Sequence, residues 1–171
     1  MSLPHQAQGV LGAAVVGPRV ALRAYEGNQI FETFRSTHPG PFTDGPGDAL
    51  HHNALTMWIA AHHGADDAFN FMLVHETFGE YGMDHPSSQM DLHNNLDGAE
   101  RGVRYRHMTG DPQMRDMLVG AITQAAQNSL DAGSLVVLHP ETGRLTRSRG
   151  WRNVSDEIWN DPPRLRRTDR A

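Results

Sequence analysis

The stretch of sequence that decides the fold is GDALHHNALTMWIAAHHGADDAFNFMLVHETF, residues 47–78. Its first half predicts a helix that runs to about His63, and Gly64 is a natural helix stop. The two aspartates at 66–67 then fall in the first turn of a second helix, where the helix dipole stabilises carboxylates. This second helix, which ends near Phe78, is apolar on almost every side. We therefore expect it to be the central, buried helix of the fold.

Apolar residues recur at helical spacing on both sides of this pair. Residues 18–37 predict a helix, which Gly27 weakens, and the Pro- and Gly-rich residues 38–48 predict an irregular connection. Ser87 or Ser88 is a natural N-cap for another helix. The apolar stripe of that helix would be Leu92, Leu96, Ala99 and Val103.

The C-terminal third predicts one further helix and a hairpin. Asp111 and Pro112 suit the start of a helix, and Gly133 suits its end. Residues 134–148, SLVVLHPETGRLTRS, alternate strand-forming residues about a turn and predict a β-hairpin. The sequence therefore predicts a mainly α fold, a compact bundle of about four to five helices with a small C-terminal β-hairpin.

Length and composition limit the classes of protein. The 171 residues predict a single domain over residues 1–171, with an ordered core from about residue 18 to residue 160 and a frayed arginine-rich tail. The chain has no cysteine, so any metal must be held by nitrogen and oxygen ligands. Residues 9–17 are too short for a membrane span, and we expect a soluble protein. Apart from Trp151 and Trp159, the basic tail lacks interleaved aromatic residues, so nucleic acid is not indicated as a partner.

A histidine and a glutamate close the second helix. Glu76 shares its side of that helix with Phe69, Met72 and Leu73, and a buried ionised carboxylate there is costly unless a cation, a metal or strong donors compensate it. Burial also raises the pKa of a carboxyl group, which suits a general acid or base. His75 also looks inward. The alternative is a structural role, in which both side chains form hydrogen bonds with free carbonyls or loop amides at the helix end.

On the first helix, His52 is the candidate ligand. Asp48 lies four residues before it on the same face, so its carboxylate can accept one imidazole N–H and leave the other nitrogen free to act. The alternative is a histidine that is merely paired with an acid in the first turn. His51 faces away, on the side of Leu55 and Trp58.

The helix after Ser88 carries the remaining oxygen ligands. Asp91 and Asn95 lie on one flank and can reach a shared point, whereas Asn94 falls nearly opposite the apolar stripe. Glycines on the same flank let another helix or a ligand come close. Alternatively, Asp91 caps the helix together with Ser88 in a capping-box turn.

Three motifs carry a resemblance to a known family: GPGDALHH at 45–52, HE at 75–76 and MDLHNNLDG at 90–98. Over roughly residues 18–145, the chain resembles an uncharacterised bacterial domain found at the C-terminal ends of Rhs-type and other polymorphic toxin-like proteins. The resemblance picks out His52 rather than His51, together with Asp48, His75, Glu76, Asp91, Asn94 and Asn95. It implies a hydrolytic effector, in the bacterial cytoplasm or secreted as part of a larger protein, with an immunity-type protein partner. The chain departs from the family pattern at residues 53–56, where Asn-Ala-Leu-Thr replaces Ala-aromatic-Trp-Asn.

Three hypotheses follow for the function, none of which specifies a substrate. The first is a hydrolase with a divalent ion, zinc or manganese, in which Glu76 is the general base toward a metal-bound water, or is itself a ligand. Its metal ligands would be His52, His75 and Asp91, and its orienting residues Asp48, Asn94 and Asn95. The second is a metal-free, lysozyme-like glycan-cleaving enzyme with Glu76 as acid and Asp91 as partner. The third is a non-catalytic structural or binding module of a larger secreted protein.

Overall fold

The computed structural model describes residues 13–37, 44–79, 82–139 and 142–150. The helices are α1 (Pro18–Phe31), α2 (Thr33–Thr37), α3 (Pro46–His63), α4 (Ala65–Phe78), α5 (Pro86–Gly102) and α6 (Arg115–Ala132). The 3₁₀ segments are Val103–Met108, Pro112–Met114 and Ser148–Gly150, and the antiparallel strands are β1 (Val136–Leu138) and β2 (Leu145–Arg147). The predicted helical bundle with a small C-terminal hairpin is confirmed. Residues 151–171, which include the end of the predicted core and the tail that we predicted to be frayed, lie outside the described residues.

Helix α3 is the centre of the bundle. Every residue from Pro46 to Ala61 is buried, and the helix packs against α1, α2, α4, α5 and α6. The prediction that α4 is the central helix is wrong, because only Ala68, Met72 and Glu76 of that helix are buried. Between Ala49 and Ala61, α3 has many small residues and no carboxylate or guanidinium, so neighbours approach it from every side, whereas α4 covers one side only.

Glycines bring α5 unusually close to α3. A Cβ atom at Gly98 would overlap the carbonyl oxygen of Asn53, and one at Gly102 would overlap that of Met57. The prediction that these glycines let a helix or a ligand come close is therefore confirmed, and the element that approaches them is helix α3. This close packing aligns the buried polar residues of α5 with those of α3.

The buried face of α5 differs from the apolar stripe that the spacing predicts. Val103 is exposed and lies beyond the end of the helix, and Leu96 is only half-buried. The N-cap is His85, whose Nδ1 accepts the backbone N–H of Ser87 at 3.2 Å, so the prediction of a Ser87 or Ser88 cap is wrong. Ser88 is buried inside the first turns, and the capping-box alternative for Asp91 does not apply.

The helix predicted over residues 18–37 is broken at Glu32 into α1 and α2. Gly47 then packs against the backbone of α2, where a Cβ atom would overlap the carbonyl oxygen of Phe34. This contact sets Arg35 beside the first turn of α3. None of the described helices is both long enough and apolar enough to cross a membrane.

Candidate metal centre

Three consecutive helices bring together one imidazole and two carboxyl groups. His52 lies on α3, Glu76 on α4 and Asp91 on α5, and one ligand atom of each lies within 4.8 Å of the other two. The residues are only 4%, 5% and 9% exposed, respectively. This group of three, called the triad below, could hold a metal ion, because neutral imidazole and carboxylate are ligands for divalent transition metals.

His75 lies beside the triad without belonging to it. Its ring centroid is 6.4 Å from that of His52, and the side chain is half-buried. The geometry therefore groups Glu76, rather than His75, with His52 and Asp91. Of the two roles that the sequence left open for Glu76, ligand and base, its position in the triad fits the ligand.

Asp48 is held by an arginine that the sequence reasoning missed. Nε of Arg35 donates to Oδ1 of Asp48 at 2.7 Å, and the backbone N–H of Asp44 donates to Oδ2 at 2.9 Å. Nε2 of His52 is 3.7 Å from Oδ1 of the same carboxylate. Both oxygens of Asp48 are thus engaged by donors, and its contact with His52 is the longest of the three.

The contact with Arg35 also indicates the tautomer of His52. Nη2 of Arg35 lies 3.4 Å from Nε2 of His52, and a guanidinium can only donate hydrogen bonds. This contact favours the tautomer with a lone pair on Nε2 and the ring proton on Nδ1. Burial lowers the pKa of His52; the carboxylate of Asp48 opposes this shift and the charge of Arg35 adds to it. A neutral imidazole with an outward lone pair is the form that binds a metal.

Asn95 and Thr56 hold the far side of the His52 ring. The Thr56 hydroxyl has one proton, yet it lies 2.8 Å from both the carbonyl oxygen of His52 and Oδ1 of Asn95. Rotating the Asn95 amide by 180° lets Nδ2 donate to Thr56 and turns the amide oxygen toward Nδ1–H of His52, consistent with a side-chain hydrogen bond between these two residues. The rotation gives partners to Nδ2 of Asn95 and Nδ1 of His52, two buried atoms that otherwise have none. Asn95 thereby orients His52.

Burial makes both carboxyl groups of the triad weak acids. It raises the pKa of Glu76 to about 8, with a further contribution from Asp48, while Arg35 opposes the shift. Burial also raises the pKa of Asp91 well above its ordinary value. The charges of Glu76, Asp48 and Asp44 add to this shift, and the charge of Arg35 opposes it. In addition, Oε1 of Glu76 is buried without a hydrogen-bond partner among the described residues. A proton or a cation is needed to keep these groups together.

The charge balance fits a divalent cation. When ionised, the buried carboxylates Asp48, Glu76 and Asp91 face the single guanidinium of Arg35, which gives this set a net charge of −2. A divalent ion would bring that sum to zero and would give the acceptor atoms a common partner. The donor set therefore fits a metal with mixed nitrogen and oxygen ligands.

A second group of potential ligands also includes His52, but its carboxylate, Asp48, already accepts a hydrogen bond from the guanidinium of Arg35. Atoms of Asp48, His51 and His52 also lie within 4.8 Å of one another. Nε2 of His51 lies 3.1 Å from Oδ1 of Asn28, so this side chain ties α3 to α1. Burial first, and then the charges of His52, Arg35 and His75, lower the pKa of His51 to about 2. His51 is thus a neutral packing residue next to the triad, rather than a group that faces away from it.

Asn94 fastens the hairpin to α5. Its Nδ2 donates to the carbonyl oxygen of Val136 at 2.9 Å, and its Oδ1 accepts the backbone N–H of Val136 at 2.9 Å. Asn53 on α3 donates to the carbonyl oxygen of Asn94 at 3.0 Å. Because both ends of the Asn94 amide are used in this way, the residue stabilises the fold around Asp91 and does not face the triad.

No match is found when the chain is compared with protein-family models, with curated proteins and with solved structures. The geometry of the triad and the three sequence motifs therefore carry the functional argument.

Proposed function

We propose that the protein is a hydrolase whose centre binds one divalent ion, zinc or manganese, through His52, Glu76 and Asp91. One observation carries the proposal: two buried carboxyl groups and an imidazole lone pair converge within 4.8 Å from three helices. Such a cluster of acceptors is repulsive in its ionised form unless a cation joins it. The resemblance to toxin-linked domains supports a hydrolytic effector that an immunity-type protein would neutralise.

The residues around the triad support this chemistry. A divalent ion supplies Lewis acidity, which polarises the bond to be broken and makes water easier to deprotonate. With its amide rotated, Asn95 would keep the lone pair of His52 on Nε2, and Arg35 donates a hydrogen bond to Oδ1 of Asp48. His75, whose ring centroid is 6.4 Å from that of His52, would accept a proton on its ring nitrogen and return it to the leaving group.

Elemental analysis tests the proposal on protein purified without a nickel column. After dialysis against zinc or manganese and removal of excess ion, we expect about one equivalent per chain. Glu76→Gln and Asp91→Asn should lose the ion, whereas Glu100→Gln, which changes an exposed carboxylate on α5, should keep it. Wild-type protein that keeps neither ion contradicts the proposal.

A second candidate is the metal-free glycan-cleaving enzyme, which the raised pKa of Glu76 favours. With a pKa of about 8, Glu76 is protonated at neutral pH and could act as a general acid. However, its partner Asp91 also has a raised pKa, and the nearest oxygens are within 4.8 Å. Retaining glycosidases place their carboxyl groups about 5–5.5 Å apart with the nucleophile ionised. Peptidoglycan cleavage that survives chelation of all divalent ions would favour this candidate over the metal-dependent one.

A further inference from the structure

Arg35 is the only arginine among the described residues whose charge acts on all three members of the triad. Its one short bond is the 2.7 Å contact from Nε to Asp48. Among the described residues, Nη1 and Nη2 make only long contacts, 3.4 Å to Oε2 of Glu32 and 3.4 Å to Nε2 of His52. One of the five N–H donors is thus firmly used, and four lie on nitrogens with weak partners.

The side chain of Arg35 is also more exposed than those of Asp48, His52 and Asp91. The side chain of Arg35 is 22% exposed, against 6% for Asp48, 5% for His52 and 13% for Asp91. The Glu32 carboxylate that faces Nη1 is 45% exposed, so water and salt screen that pair. Of these side chains at the triad, that of Arg35 is therefore the one most open to a molecule from solvent.

Binding of an ion would free this guanidinium further. Nε2 of His52 has one lone pair, and an ion that takes it leaves Nη2 of Arg35 without that acceptor. The bond from Nε to Asp48 still fixes the plane of the guanidinium. A fixed guanidinium edge with free N–H groups matches the paired oxygens of a phosphate or a carboxylate.

We propose that Arg35 binds an anionic oxygen of the substrate, in a phosphate or carboxylate group, next to the proposed ion. The catalytic use of this contact rests on the proposed function, whereas the anion site itself can be tested separately. Arg35 would select anionic substrates and would place the bond to be broken beside His52, Glu76 and Asp91.

Calorimetric titration of the full chain tests this proposal, with inorganic phosphate in one arm and acetate in the other. Each arm is run on the manganese-treated and on the metal-free protein. We expect at least one of the anions to bind, and Arg35→Gln to weaken its binding by about tenfold or more. Arg35→Lys, which keeps the charge but loses the fork, should fall between the two. The control is Arg101→Gln, because Nε of Arg101 donates to Asp97 at 2.8 Å in a similar pair away from the triad.

Anion binding and metal binding should respond differently to Arg35→Gln. Manganese binding to Arg35→Gln should be at least as tight as to the wild type, because a competing cation is removed; a merely structural role would weaken it together with anion binding. Equal anion affinity in Arg35→Gln and the wild type, or no binding of either anion to either form of the wild type, overturns the proposal. Absence of manganese binding alone refutes the metal-dependent function and leaves an Arg35-dependent anion site standing.

Discussion

Nε2 of His52 lies 3.4 Å from Oδ1 of Asp91, and the tautomer that the Arg35 contact favours leaves an acceptor on each side of this gap. Two acceptors at this distance need a proton or a cation between them. Glu76, whose Oε1 is buried without a partner among the described residues, has the same need. Protons can satisfy this need at low pH, and a metal ion can satisfy it at higher pH.

Metal affinity should rise with pH. Because burial raises the pKa of Glu76 to about 8 and that of Asp91 above its ordinary value, both carboxyl groups hold protons that a metal must displace. Titration of manganese in buffers of different ionisation enthalpy should detect proton release near pH 6.5, and less release together with tighter binding near pH 8. Affinity that is unchanged over this interval would mean that these carboxyl groups are not the ligands.

The metal-free protein should lose stability as pH rises from 6.5 to 8. The folded pKa of Glu76, about 8, exceeds its ordinary value of 4.5, so the folded state binds more protons in this interval and its advantage falls as they leave. One such group contributes a slope of at most about 1.4 kcal/mol per pH unit to the free energy of unfolding. Urea denaturation at several pH values should show that the free energy of unfolding of Glu76→Gln falls less steeply with pH than that of the wild type. The same dependence on pH in both proteins would mean that Glu76 is exposed to solvent.

Two adjacent asparagines should respond differently to alanine substitution. Asn95→Ala removes the group that orients His52, so both stability and metal affinity should fall. Asn94→Ala breaks the paired contacts with Val136 and should cost stability by about 1–3 kcal/mol while metal binding is kept. Denaturation and metal titration of both variants check this. Equal loss of metal affinity in the two would argue against the orienting role of Asn95.

The close approach of α5 to α3 should be sensitive to a single methyl group. Gly98→Ala should destabilise the protein by about 1–3 kcal/mol and weaken metal binding, because the new Cβ overlaps the carbonyl oxygen of Asn53 and displaces the helix that carries Asp91. Gly120→Ala on α6 is the matched control, since its Cβ would meet nothing within 4 Å. That change should raise stability by up to about 1 kcal/mol. A neutral Gly98→Ala would show that the helices can separate without cost.

Helical periodicity and end signals predicted most of the bundle, because caps and stops such as Asp111, Gly64 and Gly133 act locally. The central helix was misjudged because apolar residues mark α4, while α3 achieves burial with small residues and histidines that only its neighbours can satisfy. Helix faces predicted His52, Asp91 and the His75–Glu76 pair as one site, but they named His75 as the ligand, whereas Glu76 is the residue grouped with His52 and Asp91. The position of Arg35 was not, since it depends on the packing of Gly47 against Phe34 across an irregular connection.

The amide contacts of Asn94 were equally hidden. They join residues 42 positions apart through the backbone of a short strand, and no periodic pattern in the sequence encodes such a pair. A polar residue opposite an apolar stripe suggests solvent, whereas here the hairpin covers it. Buried side chains that bond backbone are therefore the features that sequence patterns predict least well.

Anomalous X-ray scattering from crystals grown with manganese or zinc is the most direct measurement of the metal centre. We predict one anomalous peak per chain, within bonding distance, about 2.0–2.2 Å, of Nε2 of His52 and of carboxylate oxygens of Glu76 and Asp91. A map with no peak between these three side chains, at saturating metal and pH 8, would contradict the assignment of this cluster as a metal site.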